Sequence, residues 1–376
     1  MTSSRTRRAI EELLAPADVR IDGSRPWDLR VHDPSFFARV LAEGSLGLGE
    51  SYMDGWWDCE RIDELAHRIF WHRVDQQARP SPRMLFSAFE GRLRNLQSRR
   101  RAAKSGGSPY QFGDDLFQTM LDPRLVYSCA YWRRASSLEE AQQHKLDLVC
   151  QKLDLKPGMR VLDVGCGWGS FARHAAETWG ARVVGINLSE DQARIARERC
   201  AGLPVEIRLQ DYRDLAGRRE FQRVVSIGMF EHVGYKNYRR FFEIVRGCLA
   251  PDGLALLHTI GRNRSATSAD LWVRKYFFPD AMLPSASQLA TAIEGLFVIE
   301  DWHNFSADYD RTLLAWHRNF ENGWERLFER GYDERFRRMW RFYLLGSAAR
   351  FRARRNQLWQ LVLSERGVLG GYAAVR

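Results

Sequence analysis

The sequence predicts an α/β fold, in which helices cover both faces of a mostly parallel, seven-stranded sheet, with a smaller and mainly helical N-terminal domain. Three observations support this prediction. From about residue 145 onwards, short β-rich runs alternate with helical runs, which is typical of a parallel sheet. A Gly/Ser/Pro-rich segment separates this part from the N-terminal part. The chain of 376 residues is also long enough for two ordinary domains.

The candidate strands are short runs rich in valine, leucine and isoleucine. They lie at residues 160–164, 182–186, 205–209, 223–227, 254–260, 297–301 and 312–316. Helical stretches follow the first two strands, FARHAAETW after the first and EDQARIARERC after the second. Turns that contain proline and glycine precede the first and the fifth strands.

The stretch at 335–366 mixes aromatic residues and arginines at helical spacing and predicts a C-terminal helix. Two interpretations of it remain open. In one, the helix packs on the domain and turns a solvated basic face outwards. In the other, it touches anionic lipid at a membrane interface.

Composition sets the expected domain boundaries. Residues 1–97 form the N-terminal domain, and its sequence leaves open whether it serves docking or dimerisation. Residues 98–109, SRRRAAKSGGSP, join a basic cluster at 99–104 to a Gly/Ser/Pro run, which is typical of a linker. Residues 110–376 form the α/β domain, which we expect to be catalytic.

Overall composition is that of a folded protein, with 45% hydrophobic and 28% charged residues. No run of about 18 or more uncharged apolar residues occurs, so we expect no transmembrane helix. The first twenty residues lack the apolar stretch of a secretory signal, which favours the cytoplasm. The 6 cysteines form no CxxC pair, which argues against structural zinc and favours reduced thiols.

The formal net charge is +10 and the isoelectric point is about 9.5. Such a surface is attracted to polyanions, either nucleic acid or an anionic lipid surface. Charge alone does not choose between the two, and a basic protein without an anionic partner is also compatible with it.

The segment VLDVGCGWGS, residues 161–170, follows a predicted strand and leads into a predicted helix. Gly165, Gly167 and Gly169 allow the backbone to turn tightly beside a ligand. Their spacing differs from the dinucleotide fingerprint, whose third glycine comes three positions after the second. With Asp163 before it, the loop resembles the first motif of Rossmann-like class I methyltransferases. That resemblance implies that the loop binds the amino-acid end of S-adenosylmethionine.

Two later positions extend this expectation. Many such methyltransferases carry an acid after the second strand that binds the ribose; here Asn187 stands at that place, and Asn187 and Gln192 can still hydrogen-bond the ribose. After the third strand, where the family contacts adenine, Asp211 can accept a hydrogen bond from the exocyclic amine, and Tyr212 can cover the ring.

Four further segments narrow the chemistry. They are YSCAYW at 127–132, GMFEHVG at 228–234, LLHTIG at 256–261 and DWHNFSADYDRTLLAW at 301–316. With the glycine loop, they closely resemble the cyclopropane-fatty-acyl-phospholipid synthases and, less closely, the mycolic-acid methyltransferases. The resemblance covers nearly the whole chain, including the N-terminal part, which the mycolic-acid enzymes do not share.

The resemblance implies that an alkene in a phospholipid acyl chain attacks the methyl group of S-adenosylmethionine, and that loss of a proton to a bound bicarbonate ion closes a cyclopropane ring. No metal is expected, because this chemistry needs none. The expected catalytic residues are Cys129, Glu231, His258, Ile260 (through its backbone) and Tyr309. The expected cofactor-binding residues are Tyr127, Ser128, Asp163, Gly165, Gly167, Gly169, Asn187, Leu188, Gln192, Asp211, Tyr212 and Ile227.

One segment departs from the family pattern. Where the family often shows His-Tyr-Asp-x-Gly-Asn-Asp, residues 109–115 read Pro-Tyr-Gln-Phe-Gly-Asp-Asp. This segment lies near the cofactor in the family. We therefore expect the change to affect the affinity for the cofactor more than the type of reaction.

The expected partners are an unsaturated phospholipid in the bilayer, an anionic membrane surface bound peripherally at the inner face and, as a possibility left open, a second copy of the chain. One alternative is a related lipid methyltransferase that leaves a methyl branch or a methylene group. Another is a basic nucleic-acid-binding protein or RNA methyltransferase. The absence of an RNA-recognition motif argues against that alternative, so no nucleic-acid partner is expected.

Overall fold

The computed structural model describes residues 3–77, 86, 89, 90, 92, 95, 97, 112–279 and 281–376. The predicted linker at 98–109, with its basic cluster, lies outside the described residues, as do Tyr110 and Gln111. Within the described part of the chain, no helix is long and apolar enough to cross a membrane.

The chain forms two compact units. The N-terminal unit contains Met1–Arg94, Thr267–Pro279 and Tyr309–Asn356, and the sheet unit contains Asn95–Ala266, Asp280–Asp308 and Gln357–Arg376. The predicted boundary is a single linker, whereas contacts within the fold group two later segments with the N-terminal residues. The reason is burial: Leu314, Phe342 and Leu345 from the last segment pack in the hydrophobic core of the N-terminal unit.

The helices and strands are numbered along the chain. The helices are α1 (Ser3–Leu14), α2 (Ser35–Glu43), α3 (Ser45–Met53), α4 (Ile62–Trp71), α5 (Val74–Gln77), α6 (Asp114–Met120), α7 (Leu138–Lys152), α8 (Ser170–Trp179), α9 (Glu190–Arg199), α10 (Tyr238–Cys248), α11 (Leu271–Tyr276), α12 (Ala286–Ile293), α13 (Ala307–Asn322), α14 (Trp324–Glu329) and α15 (Glu334–Arg352). The strands are β1 (Arg30–Val31), β2 (Trp57–Asp58), β3 (Arg160–Val164), β4 (Arg182–Asn187), β5 (Val205–Leu209), β6 (Phe221–Ile227), β7 (Leu249–Arg262), β8 (Val298–Asn304) and β9 (Asn356–Ser364).

In the N-terminal unit, helices surround the short antiparallel pair of β1 and β2, whose Trp57 is fully buried. Two glycines lie inside α3, where they would ordinarily weaken a helix. A Cβ atom at Gly47 would lie 2.6 Å from the carbonyl oxygen of Arg39, and one at Gly49 would lie 2.4 Å from the indole nitrogen of Trp272. Glycine is therefore required here because neighbouring groups pack directly against the helix backbone.

The sheet unit contains a seven-stranded sheet in the order β5-β4-β3-β6-β7-β9-β8. Neighbouring strands from β5 to β7 run parallel, and β8 pairs antiparallel with β9. The prediction of a mostly parallel seven-stranded sheet is therefore confirmed. The chain runs from β3 outwards to β5 and then returns to β6 on the other side of β3, which opens a crevice at the carboxyl ends of β3 and β6.

The prediction that 312–316 is a strand is wrong. These residues lie inside α13, where the buried side chains of Tyr309, Leu313, Trp316 and Phe320 recur at helical spacing. The five-residue run resembled a strand only because it was considered alone. The helical turns on either side continue the same spacing of buried residues.

The prediction of a single helix over 335–366 is also wrong. The chain forms α15 and then enters β9, which supplies the seventh strand of the sheet. Nearly every residue of β9 is buried, on both faces of the strand, so its sequence shows no polar–apolar alternation. Periodicity alone cannot separate such a strand from a buried helix.

Candidate active site

The glycine loop joins β3 to α8 in backbone conformations that favour glycine. Gly165 has φ +87° and Gly167 has φ +53°. A Cβ atom at Gly165 would lie 2.6 Å from the side chain of Met229, whereas one at Gly167 would meet no atom of the described residues within 4 Å. Gly169 caps α8, and a Cβ atom there would meet Ala196 and Cys200. Thus Gly165 and Gly167 shape the loop, whereas Gly169 allows α8 to pack closely against its neighbour.

A cleft opens beside this loop, at the carboxyl ends of β3, β4 and β6. It is the crevice that the strand order predicts. The expected cofactor residues that line it are Tyr127, Ser128, Asp163, Gly165, Gly167, Asn187, Leu188, Gln192, Tyr212 and Ile227. Gly169 and Asp211 are not among its lining residues.

Asp211 is engaged by its neighbour Arg213. Its Oδ2 accepts a hydrogen bond from Nη2 of Arg213 over 2.6 Å, and its Oδ1 accepts one from Nε over 2.8 Å. Arg213 and Gln210 line the cleft in its place. Sequence reasoning missed both residues, although they flank Asp211 in the same short segment.

The amide of Asn187 connects the glycine loop to α9. Its Nδ2 donates to the carbonyl oxygen of Gly167 over 3.0 Å and to Oε1 of Gln192 over 3.1 Å, and its Oδ1 accepts from the backbone N–H of Ser189 over 2.9 Å. Both amide protons are used within the protein. Asn187 therefore holds the shape of the loop in addition to lining the cleft.

Asp163 ends β3 beneath the loop and is only 2% exposed. Its Oδ2 has no hydrogen-bond partner in the described part of the chain, and burial raises the pKa of this carboxyl to about 7. An unpartnered buried carboxylate oxygen is costly unless a donor or cation approaches it. The site therefore suits a ligand with a cationic group, such as the amino-acid end of S-adenosylmethionine.

Lys145 of α7 also lines the cleft, and its Nζ donates to Oγ of Ser128 over 2.9 Å. Burial lowers the pKa of Lys145 to about 8, and its charge acts to lower the pKa of Asp163. One turn earlier, Nε2 of Gln142 donates to the carbonyl oxygen of Ser128 over 2.9 Å. Lys145 and Gln142 were not predicted as site residues. Two polar residues three positions apart on the buried face of one helix could have pointed to them.

Glu231 lies in a short 3₁₀ turn that follows β6 and is 6% exposed. Its Oε1 accepts a hydrogen bond from the backbone N–H of Ile260 on β7 over 2.8 Å. Its Oε2 is buried and has no partner among the residues that the structure describes. Burial raises the pKa of Glu231 to about 7, so the group is held between its acid and carboxylate forms near neutral pH.

His258 lies on β7, paired in register with Ile227 at the end of β6, and is 1% exposed. Its Nδ1 lies 3.2 Å from Nε2 of Gln360 on β9, while its Nε2 has no partner within the described ranges. Burial holds the pKa of His258 well below its usual value, and the charges of Lys145 and Lys152 act in the same direction. The ring is therefore neutral at physiological pH.

Two other expected catalytic residues, Cys129 and Tyr309, belong to different units. Cys129 is fully buried in the sheet unit. Tyr309 belongs to the N-terminal unit, where its ring stacks on Phe351 at 4.5 Å. The grouping of Tyr309 with Glu231 and His258 stays a prediction. In the described residues, no three His, Cys, Asp or Glu side chains are grouped so that they could hold a metal ion.

Comparison with known proteins identifies close relatives. The sequence model of the mycolic acid cyclopropane synthetase family matches residues 97–361. The cyclopropane-fatty-acyl-phospholipid synthase of Escherichia coli (strain K12) is 51% identical over 369 residues, covering 98% of this chain and 96% of the relative. A probable fatty acid methyltransferase of Pseudomonas putida is 31% identical, covering 91% of this chain and 90% of the relative.

A solved structure shares the fold as well. The crystal structure of the mycolic acid cyclopropane synthase CmaA1 complexed with SAH and CTAB matches with a TM-score of 0.64 and 30% identity. The match covers 69% of this chain and 97% of that chain.

Proposed function

This chain belongs to the mycolic acid cyclopropane synthetase family, and from that premise we propose that it is a cyclopropane-fatty-acyl-phospholipid synthase. It converts the cis double bond of an unsaturated phospholipid acyl chain into a cyclopropane ring, with S-adenosylmethionine as the methylene donor and S-adenosylhomocysteine as the second product. The Escherichia coli relative of that name supports this choice, because it matches the N-terminal unit as well as the sheet unit.

The cofactor cleft supports the use of S-adenosylmethionine. The glycine loop presents backbone groups without side chains in the way, and Asp163 offers a buried carboxylate oxygen to which no described residue donates. Tyr212 and Leu188 add apolar surface for the adenine and ribose, and Gln192 adds a polar group. When bound here, S-adenosylmethionine supplies an electrophilic methyl group to the alkene.

Two buried polar atoms carry the catalytic part of the proposal: Oε2 of Glu231 and Nε2 of His258, neither of which has a protein partner among the described residues. Both residues lie near the carboxyl ends of β6 and β7, next to the cofactor cleft in the sheet order. A neutral histidine donates a hydrogen bond without adding charge, and a carboxyl group with a pKa of about 7 can accept or donate one.

These atoms suit a small oxyanion that offers both a hydroxyl group and acceptor oxygens. Bicarbonate has that donor set and, when bound, would supply a weak base for the proton that leaves the new methyl group. The role of the protein is then to hold this base in one orientation and to exclude water from the developing positive charge. Cys129, the backbone of Ile260 and Tyr309 are the other residues that we propose for this site.

The proposed phospholipid substrate lies in a membrane. We propose peripheral binding at the inner face of an anionic bilayer, supported by the net charge of +10. Self-association of the chain stays a prediction.

The test uses vesicles of a cis-monounsaturated phosphatidylglycerol and S-adenosylmethionine whose methyl group carries deuterium. A cyclopropane product shows ring protons by NMR, whereas a methylene or methyl-branched product labelled from the same cofactor shows none. Label in a ring supports the proposal. Label in a methyl branch moves the chain to the related fatty acid methyltransferases, and measurable cofactor binding without lipid label means that the acceptor is not an alkene lipid.

A further inference from the structure

The amide of Gln360 lies against the imidazole of His258 in the interior of the sheet unit. Nε2 of Gln360 is 3.2 Å from Nδ1 of His258, and the two residues are 0% and 1% exposed. Gln360 belongs to β9, which is next to β7 in the sheet, so neighbouring strands hold the two side chains together.

This contact determines which ring nitrogen carries the proton. With the amide nitrogen of Gln360 facing the ring, Nδ1 of His258 is the acceptor, because an amide nitrogen only donates hydrogen bonds. In a neutral imidazole the other nitrogen then carries the hydrogen, and Nε2–H is the donor that remains without a protein partner in the described part of the chain. The ring of Phe305 also packs against this imidazole in an edge-to-face arrangement, with the two ring centroids 5.9 Å apart.

We propose that Gln360 is a positioning residue that fixes His258 in the Nε2–H tautomer, so that this N–H points a hydrogen bond at the base of the reaction. The inference rests on the proposed function, in which His258 orients an oxyanion by donating to it. With the other tautomer, Nε2 would present a lone pair to the anion, and the lone pair and the anion would repel each other. Gln360 therefore acts through His258.

The contribution of Gln360 differs from that of an ordinary buried amide, and the same strand provides a comparison. Gln357 also lies on β9 and is 8% exposed, but its amide bonds to Asn304 over 2.7 Å and to Asn263 over 3.0 Å. A change at Gln357 removes buried hydrogen bonds without releasing the His258 ring. Replacement of each glutamine by methionine, which is similar in length, separates positioning from general stability.

The experiment measures the tautomer directly in the full chain labelled with ¹⁵N at histidine. The two-bond nitrogen–proton correlations of a neutral ring distinguish Nε2–H from Nδ1–H, and the His258→Ala spectrum assigns the His258 signals among those of the 9 histidines. The expected spectrum of the unmodified protein shows His258 as Nε2–H. A ring protonated at Nδ1 would overturn the proposal whatever the enzyme's substrate.

The variants supply the second test. In Gln360→Met we expect mixed tautomers and a kcat reduced by about 10-fold to 100-fold with an unchanged KM for S-adenosylmethionine, since orienting groups act on the chemical step. In Gln357→Met we expect the Nε2–H signal to persist. Should Gln360→Met keep both the tautomer and kcat, the positioning role is refuted. If the unmodified protein shows Nε2–H but forms no ring product, the tautomer assignment stands and the proposed function fails.

Discussion

Glu231 and Ile260 are joined by a hydrogen bond that uses only one carboxylate oxygen. Oε1 of Glu231 accepts from the backbone N–H of Ile260 over 2.8 Å, and Oε2 is buried without a partner among the described residues. The bond therefore fixes the orientation of the carboxylate and leaves its second oxygen available to a ligand. The backbone N–H of Ile260 thus holds the acid in place, and a role of Ile260 at the reacting centre stays a prediction.

We expect Glu231→Gln to lower kcat for ring formation by about 100-fold, since the amide cannot carry or accept the same proton. The amide oxygen can still accept from Ile260, so the fold and the affinity for S-adenosylhomocysteine should change by less than about twofold. Turnover with labelled cofactor and calorimetric titration measure the two effects. Glu243→Gln, on the surface of α10, is the control and should retain activity.

The same substitution should alter stability in a pH-dependent way. Burial raises the pKa of Glu231 from roughly 4.3 in the unfolded chain to about 7 in the folded protein. Between these values the folded state binds more protons, so the stability contributed by this group is full below pH 4 and is lost as pH rises through 7.

Glu231→Gln lacks that dependence. Its free energy of unfolding relative to the unmodified protein should increase from pH 4.5 to pH 7.5, by at most about 3 kcal/mol. Urea unfolding at several pH values measures this difference. A difference that is constant with pH would contradict the raised pKa.

Gly165→Ala should abolish tight cofactor binding. Alanine at φ +87° costs about 1–2 kcal/mol, and its Cβ atom would lie 2.6 Å from the Met229 side chain that also lines the cleft. We expect at least a tenfold rise in the Kd for S-adenosylhomocysteine, measured by calorimetry. Gly202→Ala is the matched control, because Gly202 has φ +80° with open space around it and should lose stability without losing affinity.

Lys145→Met should weaken binding of S-adenosylmethionine through Asp163. Without the positive charge of Lys145, the pKa of Asp163 rises further above its present value of about 7, and less of the carboxylate is ionised at pH 7. We expect an approximately tenfold loss of affinity at pH 7 that diminishes towards pH 9, as Asp163 ionises again. Titrations across this range test the coupling, with the exposed Lys156→Met as control. A loss that does not vary with pH would point to packing instead.

Asn187→Asp should weaken cofactor binding, although an acid is common at this place in related methyltransferases. The substitution removes the donor to the carbonyl oxygen of Gly167, so that a carboxylate oxygen faces this carbonyl oxygen and both can only accept a hydrogen bond. We expect a loss of about fivefold to tenfold in affinity, measured by the Kd for S-adenosylhomocysteine. Improved affinity would show that residue 187 contributes more by binding the ribose than by holding the glycine loop. Asp191→Asn, in the first turn of α9, is the control.

Much of the cleft could be predicted from local sequence. The strands β3 to β6, the glycine loop and the polar residues that follow each strand are encoded by short-range patterns, and parallel strands bring their carboxyl ends to one edge. Asp163, Asn187 and Gln192 were therefore predicted as cleft residues, and they line it. Asp211 was predicted as a ligand residue, but a pattern in the sequence does not reveal that its neighbour Arg213 already binds its carboxylate.

The sequence by itself determined the α/β class and the position of the cofactor loop, because these depend on periodicity and on a motif of a few residues. Only the tertiary structure decided that β9 is a strand beside β7, that Gln360 contacts His258, and that Lys145 donates a hydrogen bond to Ser128. Those facts depend on which distant segments share the interior. A fully buried segment carries no alternation that would reveal its neighbours, so its hydrogen-bond partners are fixed only when the sheet is assembled.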